Sequence, residues 1–593
     1  MLKRFFLNLL SSFVGTWIAI MLFGVVIVLV CIGLAARFGG ATSSGSLERH
    51  SILTLDLSGV IEEREEAVIP DYSMLLKGGI ERPQTLDVIT KALREAAVNK
   101  NIDALYIKCG RVSASPATLN AIREEVADFK KSGKKIYAYG GVIMSGAYYV
   151  ASVADSIFIN PYGSVEMTGL SSTSLYMKNL FDKIGISWQV VKVGTFKSAV
   201  EPYIMNEMSE PARAQLDTLF GNMWGYMRDK ICENRKKLSP AKIDSLINVV
   251  SITFAPVEDA VNSGLVDKAV YERTMDSRFA TLVGKKKKDL NFVSPSDLVA
   301  SSAFEGGLGG KNQIAVVYAT GEIVDGASSG INYEKLVPTI TELAENDDVK
   351  GLVLRVNSPG GSAYGSDQIG EALDYFKSKG KPLAVSMGDY AASGGYWISC
   401  GADVIYADPL TITGSIGIFG LIPNGEVLLE KIGVNPQFAG TNPQADFPTL
   451  YKPMDERQLA VVQKNVERGY DRFINRVAKG RKMPVQKVRE IAEGRVWDAI
   501  KAKKIGLVDN LGNLEDAIEW TAKKASVEGK YNLTVYPVIK PSFWDMVADG
   551  STFEKIASEF STTGFSEFAV EYVRSYLNRE RIQARMLDFK AGF

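Results

Sequence analysis

Residues 392–397 read Ala-Ser-Gly-Gly-Tyr-Trp, and residues 144–149 read Met-Ser-Gly-Ala-Tyr-Tyr, so nearly the same six residues occur twice in this chain. The same offset carries the pair Ala-Asp at 154–155 onto the pair Ala-Asp at 402–403. Each copy spans roughly 220 residues, an ordinary size for one domain. The sequence therefore predicts one type of domain used twice in tandem.

Hydrophobic runs that end at a glycine turn open each copy, at residues 52–57 and 314–318. In the second copy, short β-branched runs at 351–356 and 382–386 flank a helical pattern over 367–379. Strands that alternate with helices favour right-handed βαβ crossovers and a buried, largely parallel sheet. Long charged helices are predicted after these runs, over 209–236 and 454–479. The fold class is predicted as α/β.

The chain divides into five predicted segments. They are an N-terminal stub and anchor (1–40), the first copy (50–300), a Gly- and Ser-rich linker (301–312), the second copy (313–525) and a C-terminal tail (526–593). From about Lys523 onward the tail shows no counterpart in the first copy.

Residues Phe13–Ala36 are apolar apart from Thr16 and carry no charge. At about 1.5 Å per residue this run is long enough to cross a hydrocarbon core of about 30 Å, so one transmembrane helix is predicted. Lys3 and Arg4 precede it, which favours a cytoplasmic N-terminus and a body on the other side of the membrane, although Arg37 weakens this preference. The alternative is a cleaved signal peptide, but the run is longer than the usual apolar region and no Ala-x-Ala site follows closely.

Composition excludes several classes of function. The chain has 68 basic and 68 acidic residues, so it shows no charge excess that would indicate a nucleic-acid partner. Its four cysteines lack metal-ligand spacing, and no metal or cofactor is predicted. His50 is the one histidine of the chain and follows the predicted membrane segment directly. A Ser-His-Asp triad would need His50 to reach the active site from there, and a His-Glu-x-x-His zinc site is impossible.

The two copies differ where chemistry would be expected. Residues 357–362 read Asn-Ser-Pro-Gly-Gly-Ser after a strand, and paired glycines let a backbone present N–H groups to a ligand. The corresponding residues 110–114 of the first copy have no glycine pair. Ser393 precedes a predicted helix, so the Gly394 N–H and the helix dipole could stabilise an oxyanion. A second donor is expected from Gly361 or Gly360.

A serine nucleophile needs a base, and a lysine is neutral near pH 7 if burial lowers its pKa from about 10.4. Residues 193–202 of the first copy, Val-Gly-Thr-Phe-Lys-Ser-Ala-Val-Glu-Pro, contain Lys197, whereas the matching residues 439–446 contain no lysine. One copy holds Ser393 and the glycine pair and the other holds Lys197, which predicts a composite site. Ser145 has no glycine loop beside it and is interpreted as structural.

The sequence resembles peptidase family S49, in particular the long, duplicated signal peptide peptidase A enzymes of the crotonase/Clp-protease superfamily. The resemblance runs from about Ile52 to Trp520, and the strings that carry it lie at 193–202, 354–361, 386–399 and 413–420. It implies a crotonase-like βαβ spiral in each copy, Ser393 as nucleophile and Lys197 as general base. It also implies that Ser415 hydrogen-bonds the lysine.

The resemblance further implies a biological setting. We expect a serine endopeptidase of the bacterial inner membrane, anchored by Phe13–Ala36 with its catalytic body on the periplasmic side. Expected substrates are remnant signal peptides and other apolar peptides, and the expected assembly is a bowl-shaped homotetramer.

Two other classes of function remain as alternatives. One is a crotonase-type acyl-CoA enzyme, which would share the glycine-built oxyanion hole but usually relies on carboxylates. The other is a non-enzymatic membrane scaffold derived from a protease. The sequence also leaves open whether Ser393 meets Lys197 of its own chain or of a neighbouring subunit, and which side chains the substrate pockets prefer.

Overall fold

The structure is a computed structural model that describes residues 47–64, 84–248, 253, 255–301, 311–326 and 330–538. The expected membrane anchor, Phe13–Ala36, lies outside the described residues, as does the tail beyond residue 538. Across the ranges just given, no helix is both long and apolar enough to span a bilayer.

The first copy folds into a parallel sheet whose strands alternate with helices. Its strands are β1 (Ser51–Glu62), β2 (Gln84–Thr85), β3 (Ile102–Ser113), β4 (Lys135–Met144), β5 (Ser156–Glu166), β6 (Ser187–Lys192), β7 (Lys268–Ala269) and β8 (Asn291–Val293). Its helices are α1 (Leu86–Val98), α2 (Pro116–Lys131), α3 (Ser145–Ala151), α4 (Lys178–Ile184), α5 (Glu201–Ile204), α6 (Glu210–Asn234), α7 (Pro240–Asn248), α8 (Val257–Ser263), α9 (Arg273–Val283) and α10 (Pro295–Ser301), with 3₁₀ turns at Ser198–Val200 and Lys287–Asp289.

The second copy repeats this arrangement. Its strands are β9 (Gln313–Thr320), β10 (Ile323–Val324), β11 (Ile331–Asn332), β12 (Val349–Ser358), β13 (Leu383–Ala392), β14 (Val404–Ala407), β15 (Ile412–Gly414), β16 (Phe419–Asn424), β17 (Val496–Asp498), β18 (Asn510–Leu511) and β19 (Asn532–Tyr536). Its helices are α11 (Tyr333–Glu345), α12 (Ala363–Ser378), α13 (Gly394–Ser399), α14 (Glu426–Lys431), α15 (Glu456–Gly480), α16 (Val485–Ile491), α17 (Ala499–Lys504) and α18 (Leu514–Lys524).

The two sheets have matching strand orders. In the first, the order is β2-β1-β3-β4-β5-β7, with β8 also on β1, and every pairing is parallel. In the second, the order is β17-β15-β13-β12-β9-β19, and in addition β14 pairs with β13 and β18 pairs with β14. Of these pairings, only that of β15 with β17 is antiparallel. The predicted α/β class and the predicted duplication are confirmed.

The predicted tail contains part of the second sheet. Strand β19 pairs in parallel with β9, and β8 of the first copy pairs in parallel with the equivalent strand β1. The statement that the tail has no counterpart is therefore wrong for residues 532–536. The error arose because β8 is three residues long, too short to give a hydrophobic period that could be matched.

Strand β12 shows why the sheet is buried on both faces. Leu354 packs in one core cluster with Phe376 of α12, whereas Val353 packs on the opposite face with Ile518 of α18. A parallel strand covered by helices on both faces reads as a continuous apolar run rather than as an alternation. The carboxyl ends of β12 and β13 lead directly into the residues of the candidate site.

A two-stranded antiparallel sheet joins the copies. Strand β6 of the first copy pairs with β16 of the second from Phe419↔Lys192 to Asn424↔Ser187. Leu410 of the second copy also lies in the core cluster of the first. These shared contacts bring residues from both copies to one place.

Candidate active site

Ser393 lies at the sharp junction between β13 and α13. Its φ of 54° is in the left-handed region, which is strained for a residue with a side chain and recurs at functional sites. The Ser393 N–H donates to the Gly414 carbonyl at 2.9 Å, and its carbonyl accepts the first helical hydrogen bond from Trp397 at 2.9 Å. The backbone is therefore fixed on both sides of the hydroxyl-bearing carbon.

Lys197 approaches this serine from the first copy of the same chain. Its Nζ lies 3.1 Å from Ser393 Oγ, 2.9 Å from Ser415 Oγ and 3.1 Å from the Ser415 carbonyl oxygen. The lysine is only 4% exposed. Burial lowers the pKa of Lys197 to about 7, because the charged form loses its hydration. The predicted pair thus meets within one polypeptide.

Ser415 follows β15 and also has a left-handed backbone, with φ at 51°. Its N–H donates to the Arg495 carbonyl at 2.7 Å, which anchors the turn. In this conformation both its carbonyl oxygen and its hydroxyl reach Lys197. The lysine therefore has two polar contacts besides the one to the serine nucleophile candidate.

The glycine loop packs against the turn that carries Ser393. Gly360 has φ of 104°, and a Cβ on it would lie 2.7 Å from both the Gly394 nitrogen and Ser393 Cβ. The Gly361 φ is 144°, and a Cβ there would lie 2.1 Å from the Ile323 carbonyl oxygen. Only glycine fits either position, because every other residue would add a clash to a strained backbone.

The hydrogen bonds of the loop distinguish the two glycines. Ile323 donates to the Gly360 carbonyl and accepts from Ser362, both at 2.8 Å, so the Gly361 N–H between them points away from β10. The Gly360 N–H donates to Ser358 Oγ at 3.2 Å. Gly361 is consequently the better oxyanion donor of the pair. The Gly394 N–H lies in the first turn of α13, where N–H groups have no partner within the helix.

The corresponding turn of the first copy is built differently. Strand β3 continues to Ser113, and Ser115 caps α2 by accepting from the Thr118 N–H, so only two residues separate strand and helix, whereas four do in the second copy. The Ser145 hydroxyl donates to the Glu166 carbonyl at 3.3 Å and accepts from the Thr168 N–H at 3.1 Å. These backbone contacts account for Ser145 as a structural residue.

Sequence reasoning missed a buried network below the glycine loop. Arg355 Nε donates to Glu63 of the first copy at 2.7 Å, and Asn357 Nδ2 donates to Glu63 at 3.2 Å and to Asp389 at 3.1 Å. Tyr390 N–H donates to Asn357 Oδ1 at 3.2 Å, beside an irregularity in the β12–β13 register. Glu63 is one of four glutamates in residues 62–66, and nothing in that acidic run indicated this partnership.

Sequence reasoning also missed residues 493–495, which contact both the Lys197 loop and the Ser415 turn. A Glu-Gly-Arg string is common in proteins and indicates no role by itself.

Comparison with known proteins places the chain in a family. The sequence profile of peptidase family S49 matches residues 128–286 and 375–528, once in each copy. Protease 4 of Salmonella typhi is 34% identical over 543 residues, which cover 90% of this chain and 87% of that protein. The putative signal peptide peptidase SppA of Enterococcus faecium is 33% identical over 291 residues, which cover 46% of this chain and 83% of that protein.

A solved structure of a ClpP1 mutant from Listeria monocytogenes aligns with 34% of this chain and 94% of its own at 15% identity, with a TM-score of 0.24, which is too low to bear on the fold. The profile match in both copies and a relative one-third identical over nine-tenths of the chain carry the assignment. This chain belongs to peptidase family S49.

Proposed function

We propose that this chain is a serine endopeptidase in which Ser393 attacks the peptide carbonyl and Lys197 of the other copy is the general base. The observation that carries this proposal is the 3.1 Å contact between Lys197 Nζ and Ser393 Oγ at a lysine whose burial lowers its pKa to about 7. An amine with that pKa is half neutral near pH 7, where a general base is most effective.

In the acylation step, a neutral Lys197 has two N–H donors and one lone pair. The donors are directed to the carbonyl and hydroxyl oxygens of Ser415, which leaves the lone pair for the Ser393 proton. As that proton moves to Nζ, Ser393 Oγ bonds to the substrate carbonyl carbon. The C–N bond then breaks, and the Lys197 ammonium returns the proton to the leaving amine.

In the deacylation step, Lys197 takes a proton from water, and the resulting hydroxide attacks the ester carbonyl. The bond to Ser393 Oγ breaks and the proton returns to that oxygen. The N–H groups of Gly361 and Gly394 are proposed to hold the negative oxygen in both steps. Removing one such donor typically costs ~10²–10³ in kcat.

Apolar peptides, including remnant signal peptides, are the proposed substrates. The name of the Enterococcus faecium relative supports this substrate class. We include in the proposal a membrane anchor at Phe13–Ala36, with the catalytic body on the side of the membrane away from the cytoplasm. Such an anchor would concentrate the enzyme beside these peptides. A homotetramer is part of the same proposal.

The alternatives are less well supported. An acyl-CoA enzyme would usually use carboxylates, whereas the hydrogen bonds of Lys197 Nζ in the described part of the chain go to hydroxyl and carbonyl oxygens. A scaffold would not need a lysine buried beside a strained serine.

The test uses the purified full chain, a fluorogenic apolar peptide and a fluorophosphonate label located by mass spectrometry. We expect the label on Ser393, and losses of at least about 10³-fold in kcat/KM for Ser393→Ala and Lys197→Ala. Ser145→Ala should keep its activity. Labelling of Ser145, or wild-type proteolysis by Lys197→Ala, would overturn the assignment.

A further inference from the structure

Residues 493–495 of the second copy lie between the two turns that meet at Lys197. The Phe196 N–H donates to the Glu493 carbonyl at 2.9 Å. The Gly494 N–H donates to the Ile416 carbonyl at 2.9 Å, and the Arg495 carbonyl accepts from Ser415 at 2.7 Å. We call residues 493–495 the bridge. Their backbone is hydrogen-bonded to Phe196, the residue before Lys197, and to Ser415 and Ile416 of the other turn.

Two side chains of the bridge hold the lysine loop as well. Glu493 Oε2 accepts from both the N–H and the hydroxyl of Thr195 at 3.0 Å. The Arg495 guanidinium stacks between two rings, 4.8 Å from the centre of Phe196 and 4.4 Å from that of Trp497. Hydrogen bonds to a carboxylate are stronger than neutral ones, and a guanidinium between aromatic faces is held by cation–π attraction. The two residues immediately before Lys197 are therefore each held by a charged side chain.

The backbone of the bridge is shaped for this close approach. Glu493 and Gly494 both have left-handed backbones, with φ of 54° and 73°. A Cβ on Gly494 would lie 2.8 Å from the Lys197 nitrogen, so the bridge passes directly against the lysine. Strain of this kind persists where the surrounding structure fixes it and is concentrated at functional sites.

We propose that Glu493 and Arg495 are positioning residues, which hold the Lys197 loop so that its amine stays buried against Ser393. The inference rests on the proposed function, because it concerns how the base is kept in place. The second copy would thus fix the position of Lys197, the base that the first copy supplies.

The groups around Lys197 indicate how the bridge acts. Its Nζ faces Ser393 and Ser415 and lies 5.9 Å from the centre of the Phe419 ring. The charged side chains of the bridge are directed elsewhere, to Thr195 and to the stacking rings. The bridge therefore acts on the lysine through its position and its burial. A loosened loop would admit water to the amine and raise its pKa toward the ordinary value of lysine.

The experiment measures kcat and KM between pH 5.5 and 9.5 for Glu493→Gln and Arg495→Met of the full chain. For both we expect a fall in kcat of roughly fivefold at pH 7, little change in KM, and an acidic limb of the pH profile shifted upward by about one pH unit. At pH 9 most of the loss should be recovered, because the displaced lysine is then neutral too. Adding Thr195→Val to Glu493→Gln should change kcat little further, because both substitutions act on the same contact between Thr195 and Glu493.

Two exposed residues of the preceding helix α16 supply matched controls, Glu490→Gln and Lys487→Met, which should behave as wild type. Unchanged kcat in the bridge variants would overturn the proposal. A kcat that is lower at every pH, with the acidic limb of the pH profile at its wild-type position, would also overturn it, because a merely structural role gives that result. Lys197→Ala in the same assay separates the two proposals. If Lys197→Ala is active, the proposed function is contradicted. If Lys197→Ala is inactive but Glu493→Gln and Arg495→Met behave as wild type, only the proposal about the bridge is contradicted.

Discussion

The proposed base, Lys197, would act only in its neutral form, and burial rather than a neighbouring cation favours that form. Desolvation is the cause that lowers its pKa to about 7. Its polar contacts to Ser393 and Ser415 satisfy the amine without restoring the hydration that a charged ammonium needs.

The first prediction concerns the pH dependence of activity. Because the neutral amine is the active form, kcat/KM should rise about tenfold per pH unit below pH 7 and level off above it. A fluorogenic peptide assayed from pH 5 to 9.5 measures this profile. A plateau that extends below pH 6 would contradict Lys197 as the base.

The second prediction concerns stability. Since the pKa of Lys197 falls to about 7 on folding, the unfolded chain binds more protons between that pH and about 10.5. Stability therefore falls as the pH drops through this window, and the whole penalty is present below pH 7. Lys197→Met lacks the titration and should be more stable than wild type at pH 6, by about 1–3 kcal/mol after its lost hydrogen bonds are counted.

Thermal unfolding of Lys197→Met and wild type at pH 6, 8 and 10 measures that difference, which should shrink as the pH rises. The exposed substitution Lys487→Met serves as the control and should show no such trend. A difference that is constant with pH would mean that burial of the charge is not its source.

At the scale of elements, the glycine loop fixes the distance between strand β12 and the turn of Ser393. The third prediction compares Gly360→Ala with Gly380→Ala. Both glycines have left-handed backbones, but a Cβ at Gly380 meets nothing within 4 Å, whereas one at Gly360 collides with the nucleophile turn. Backbone strain should cost each variant about 1–2 kcal/mol of stability, and Gly360→Ala should lose more than Gly380→Ala because the clash adds to the strain.

Only Gly360→Ala should also reduce activity, by about 10²-fold in kcat, because the turn and the oxyanion donors are displaced. Urea unfolding and steady-state kinetics on both variants separate the two effects. Equal kcat values for the two variants would show that the loop is not part of the catalytic geometry.

The elements of the second copy that were predicted are those with a clear local pattern. The apolar run at 351–356 is the centre of β12 (Val349–Ser358), and the helix predicted over 367–379 is α12 (Ala363–Ser378). That helix begins four residues earlier than predicted, because Ser362 caps it by accepting from the Gly365 N–H at 3.0 Å. Hydrophobic period alone does not locate a cap.

The candidate site was predictable for a different reason. Ser393 and Lys197 stood out because the first copy has no glycine pair to accompany its serine and the second copy has no lysine at the matching segment, and both differences can be seen in the sequence. The contact of Arg355 with Glu63 and the bridge were not predictable, since they join residues far apart in sequence through contacts that leave no local pattern. Gly360 was expected as a possible donor, but its N–H is directed to Ser358 Oγ, and such a local side-chain contact is not readable from composition.

At the scale of the whole molecule, the two copies together build the candidate site, because Lys197 of the first contacts Ser393 of the second. The fourth prediction is that mixed subunits of Ser393→Ala and Lys197→Ala will not recover activity, because the two side chains meet within one chain. Co-expression of the variants with different affinity tags, followed by tandem purification and the peptide assay, measures this. Recovery to a sizeable fraction of wild type would show that neighbouring subunits share the pair.

The antiparallel pairing of β6 with β16 has a consequence for any attempt to divide the chain. A halved gene would leave one strand edge unpaired in each product, and such edges invite aggregation. Each product would also contain only one of the two residues Lys197 and Ser393. Separating the copies would therefore undo the shared sheet and the contact of Lys197 with Ser393 together, so under the proposed mechanism neither half would be active alone.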